Sequence, residues 1–184
     1  MVQSLMPGLS AAANVHPVFV HFPIALLLVA LLFELLGLLT ENDDYLRSGR
    51  WLLYLGTLGA VVAAGTGFLA TNEMGHDTAG HELVHVHRNF MLATTGLALV
   101  SSLVAFALRT TGSTAARWVQ LLLLTVTVSI MTVGADRGAE LVFRYGIGTA
   151  GETPPEHSEG HHGHRSSTQE DSPHGKDEHA EHDH

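Results

Sequence analysis

The stretch PVFVHFPIALLLVALLFELLGLL, residues 17–39, carries one carboxylate, Glu34, and one imidazole, His21, among 23 residues. As a helix it would reach roughly 35 Å at 1.5 Å per residue, enough to cross a hydrocarbon core of about 30 Å. Working outward, three further apolar runs of 18 to 20 residues follow at 51–70, 90–108 and 118–135. A soluble bundle would show polar stripes at helical spacing, and these runs have none. The sequence therefore predicts an all-α integral membrane protein, a bundle of four transmembrane helices in a lipid bilayer.

Small residues recur every fourth position in the second and third runs, as Gly56/Ala60/Ala64, Gly59/Ala63/Gly67 and Thr94/Ala98/Ser102. Such stripes let helix backbones approach closely in lipid. Trp51 and Trp118 open their runs as indoles do at a membrane interface. Residues 1–16 contain no Lys or Arg, so the first run reads as a retained span, not a signal peptide.

The end of the chain is of another kind. Residues 151–184 hold nine acidic and two basic residues, and so carry −7 of the formal −9, together with eight of the 14 histidines. So little apolar surface cannot offset the entropy of ordering, and a disordered tail is expected. The acidic balance argues against nucleic acid as a partner. The absence of cysteine excludes disulfides, thiolate metal sites and cysteine nucleophiles.

Four spans put both termini and the long loop 71–88 on one side, and the short loops 40–50 and 109–117 on the other. The short loops hold Arg47, Arg50, Arg109 and Arg117, against Arg88, Arg137 and Arg144 near the spans on the opposite side. By the positive-inside rule the short loops are expected in the cytoplasm of a bacterial cell, with both termini on the outer, periplasmic face of the inner membrane. All 14 histidines then fall on that outer side.

Two of these positions point to a b-type haem. His21 lies about one turn into the first span, where a polar side chain is costly unless it has a function. His85 and His87 open the third span from the same side, about 200° apart on a helix, so only one faces the bundle. His21 and His87 are the candidate axial ligands, with His85 as the substitute, and electron transfer is the expected role. Gly65 and Gly67 would leave room for a macrocycle or serve packing alone.

His81-Glu82-Leu83-Val84-His85 also matches the HExxH pattern, two imidazoles on one helical face with a glutamate between them. Asp136 or Glu140 could supply a third ligand, but no catalytic domain accompanies the motif, so an enzyme is not the leading expectation. In the tail, His161, His162, His164, His182 and His184 lie among carboxylates. With His81 and His85 they form a candidate system for handling Zn, Cu or Ni. A cofactor-free anchor subunit is the remaining alternative. Glu34, toward the opposite face from the histidines, is expected to be interfacial and hydrated.

Three segments carry a family resemblance: His16-Pro-Val-Phe-Val-His-Phe-Pro-Ile-Ala-Leu-Leu28, His87-Arg-Asn89, and Gly134-Ala-Asp-Arg-Gly-Ala-Glu-Leu-Val-Phe-Arg-Tyr-Gly-Ile-Gly148. Over residues 16–148 the chain resembles the bacterial membrane family called domain of unknown function 2231. The resemblance implies a four-span domain of unassigned biochemistry. Relatives fused to cytochrome or Rieske modules imply a redox setting and a cytochrome or other redox partner. Asp136 stands where the family commonly has His, and Ala139 where it has a second Gly, which weakens a cofactor role for that strip.

Overall fold

The computed structural model describes residues 16–72, 79–111 and 113–147. These form four helices: α1 His16–Thr40, α2 Asp43–Asn72, α3 His81–Ala107 and α4 Thr114–Tyr145. All four are long and apolar enough to cross a membrane. Each exceeds its expected span, α4 most of all, because the glycine-rich segment after residue 135 continues the helix. Arg137–Glu140 and Arg144–Glu140 pairs at 2.9 and 2.7 Å brace that last stretch at the spacings where helical side chains meet. It stops at Gly146, whose φ of 65° only glycine adopts freely, with N–H bonds to the Leu141 and Val142 carbonyls. The expected tail, 151–184, lies outside the described residues.

Two residues link α1 to α2, and Asn42 Oδ1 accepts from the Asp44 N–H at 2.9 Å to cap α2. So short a link makes the two helices antiparallel neighbours. In sequence order the helices close a ring: α1 packs on α2, α2 on α3, α3 on α4 and α4 on α1, while the diagonal pairs have no close backbone approach. Leucines and phenylalanines are exposed around the whole ring, from Phe22 on α1 to Leu58, Leu103 and Leu122 on the others. That is the surface lipid covers, and it explains why these helices show no polar face.

The interior is built on small residues, as the stripes suggest. A Cβ on Gly56 would lie 3.0 Å from Leu27, and one on Gly59 would lie 3.3 Å from Pro23, so α2 lies tightly on α1. Leu27, Ala30, Leu53, Ala98 and Leu124 are fully buried where the four helices meet. Between them lie buried polar groups that tie helices together. Thr57 Oγ1 meets Ser102 Oγ at 2.9 Å, and Gln120 Nε2 donates to Ser101 Oγ at 2.9 Å.

Glu34 departs from expectation. It is 4% exposed, with its Cγ set against Gly49 of α2. The missing side chain of Gly49 lets α1 and α2 close over it, and on the same face of the bundle Arg117 pairs with Asp43 at 2.9 Å.

Candidate functional site

The starts of α1 and α3 and the ends of α2 and α4 meet at one end of the bundle. They enclose a cavity of about 610 Å³ with His16, His21, His87, Arg88, Thr95 and Met131 in its lining. Cofactor sites generally fall within about 300–1,000 Å³ and are mostly apolar with a few placed polar groups.

Two imidazoles converge here from diagonal helices. His16 of α1 and His87 of α3 lie with ring centroids 6.4 Å apart at an interplanar angle of 77°. Each ring rests on a glycine of the helix beside it. A Cβ on Gly67 of α2 would come within 2.9 Å of His16 Cε1, and one on Gly138 of α4 within 2.8 Å of His87 Cε1. Each ring is also tethered through Nδ1, His16 to Thr66 Oγ1 at 3.2 Å and His87 to the Gly134 carbonyl at 2.8 Å. Such a tether constrains the ring plane, as a second partner does for imidazoles that bind metals.

His87, not His85, therefore turns into the bundle. His21 lines the same cavity, but its ring is exposed and its Nδ1 meets the Pro17 carbonyl at 2.8 Å. The ring that meets His87 belongs to His16, which the sequence reading left unassigned. A seven-residue signal could have found it, since Pro23, Ala30 and Gly37 are buried on α1 and His16 continues their row. His87 likewise continues the row of Thr94 and Ser101 on α3.

His81 and His85 form a separate pair, Nε2 to Nε2 at 2.9 Å. Neither expected third ligand joins them. Glu140 is held by Arg137 and Arg144, Asp136 is exposed, and among the described residues no three His, Asp or Glu side chains converge on a metal position. The tail ligands His161, His162, His164, His182 and His184 lie outside the described residues. Gly65 faces open space, whereas Gly67 is occupied by His16. Gly65 is not in the cavity lining, so neither glycine makes room for a macrocycle.

The profile of predicted membrane proteins of domain of unknown function 2231 (DUF2231) matches residues 12–151. The chain belongs to that family. No curated protein and no solved structure matches it. In this DUF2231 protein the matched region takes in all four helices, and both histidines of the diagonal pair fall within it.

Proposed function

We propose that this membrane protein binds a b-type haem between His16 and His87 and passes electrons to a redox partner. The diagonal pair of tethered imidazoles carries the reading. Two imidazoles bound trans to one metal at about 2.0–2.1 Å hold their centroids roughly 6.3 Å apart, against 6.4 Å here. The interplanar angle is no obstacle, because rotation about the metal–nitrogen axis leaves that separation unchanged.

The surroundings fit the same group. The cavity is largely apolar, and Arg88 in its lining is a cation suited to a propionate. His16 and His87 would hold the haem iron between them, and a haem so held would supply electron transfer with no open site for a substrate. The Thr66 hydroxyl and the Gly134 carbonyl, holding the two Nδ1 atoms, would tune ligand basicity and so the potential. His21 serves the cavity as a rim residue, not as a ligand.

A reduced-minus-oxidised visible spectrum of the detergent-purified full chain, expressed with ample haem, tests this. A sharp α band is expected, lost in His87→Ala and in His16→Ala and kept in His21→Ala. A colourless protein from a haem-sufficient host would overturn the proposal and leave the anchor role. A band that survives His16→Ala but not His21→Ala would return the ligand to His21.

A further inference from the structure

The first turn of α3 holds a second histidine pair that shares no residue with the diagonal one. His81 and His85 stand one turn apart with ring centroids 4.6 Å apart, and their Nε2 atoms meet at 2.9 Å. Two ring nitrogens at that distance must share a proton, since two bare lone pairs would repel. A metal ion also accepts both lone pairs, but it stands off the nitrogen–nitrogen line at about 2.0 Å from each, so the two rings swing slightly to meet it.

We infer that His81 and His85 form a two-imidazole chelate for a divalent transition-metal ion. Ligands at about 2.0 Å stand roughly 2.8–3.3 Å apart as the angle at the metal opens from a right angle to tetrahedral, a range that small rotations of the two rings reach from the hydrogen-bonded 2.9 Å. Cu(II) serves as the probe ion.

Open room lies on the His81 side of the pair, where His81, Glu82, Val86 and Tyr145 line a cavity of about 460 Å³. Among the described residues no third His, Asp or Glu completes the set, so the chelate rests on the two imidazoles. His87 points about 200° away from His85 on the helix, which makes this site independent of the haem reading.

The test uses the full chain in detergent, with the eight tail histidines replaced by glutamine so that they cannot bind metal themselves. Cu(II) titration should reach one ion per chain, with paramagnetic resonance showing coupling to at least two nitrogens. His81→Gln and His85→Gln should each weaken binding at least tenfold at unchanged helicity, and His21→Gln should not. Fewer than two coupled nitrogens would overturn the inference, as would copper affinity unchanged in both His81→Gln and His85→Gln. The nitrogen count is read in a chain that also carries His16→Gln and His87→Gln, so that two coupled nitrogens cannot come from the diagonal pair, and it needs no substitution at His81 or His85.

Discussion

His16 and His87 meet edge to face across the bundle diagonal, centroids 6.4 Å apart, although their helices have no close backbone approach. Their reach is set by two glycines. Gly67 and Gly138 have no side chain, so each imidazole lies directly on the neighbouring helix.

Alanine at either glycine tests that support. A Cβ on Gly138 would stand 2.8 Å from His87 Cε1, so the ring must move, but a ring tip moves at small cost to the fold. Helix propensity favours alanine by about 1 kcal/mol. Gly138→Ala and Gly67→Ala should therefore unfold within about 1 kcal/mol of the parent in detergent while losing or shifting the expected α band. Gly65→Ala, with nothing within 4 Å of its Cβ, is the control in this contrast.

Gly134 should behave differently. A Cβ there would strike Met91 Cε and lie 2.8 Å from Phe90 Cβ, an atom fixed to the α3 backbone. Overpacking of this kind costs about 1–3 kcal/mol. Gly134→Ala should lower the unfolding midpoint measurably, whereas Gly96→Ala, whose Cβ meets nothing within 4 Å, should not.

Glu34 predicts a contrast between charge and shape. Its side chain is buried against Gly49. Glu34→Ala removes that packing and should cost about 1–3 kcal/mol in equilibrium unfolding. Glu34→Gln keeps the shape and should cost less. Arg47→Ala, which breaks an exposed 4.0 Å pair with Asp44, should fall within about 1 kcal/mol of the parent.

Gln120 and Ser101 offer a double-mutant cycle. Gln120 Nε2 donates to Ser101 Oγ at 2.9 Å, while its Oε1 is buried with no hydrogen-bond partner among the described residues. Ser101→Ala strands the remaining donor and should cost about 0.5–1.5 kcal/mol. Gln120→Leu removes the unsatisfied acceptor as well, and should be neutral or stabilising. A coupling energy near zero would show that the bond holds nothing together.

Much of this was legible in the residues themselves. The run 17–39 needs no partner to declare its length, and its three companions follow by the same measure. That the five described histidines, His16, His21, His81, His85 and His87, gather at one end followed from counting spans, as did their separation from Glu34. Element ends were less legible, because charged residues such as Asp44 and Arg137 look like loop until their pairing with Arg47 and Glu140 along a helix is seen. Glu34 was misplaced for a related reason: sequence gives depth along the helix axis, whereas burial also depends on which side Gly49 approaches.

Choosing between His16 and His21 shows the same limit at the site. Five residues apart, they point about 140° apart on a helix, and both lie near one membrane face. In a soluble protein the apolar stripe would say which face turns inward. Here the outward face of α1 is as apolar as the inward one, because lipid replaces water, so hydrophobicity is silent about rotation. Span number and histidine side are properties of a single strand of chain, and the sequence by itself determined them. Which imidazoles meet depends on how each helix is turned about its axis. Only tertiary packing decided that, through the close approach that Gly56, Gly59, Gly67 and Gly138 permit.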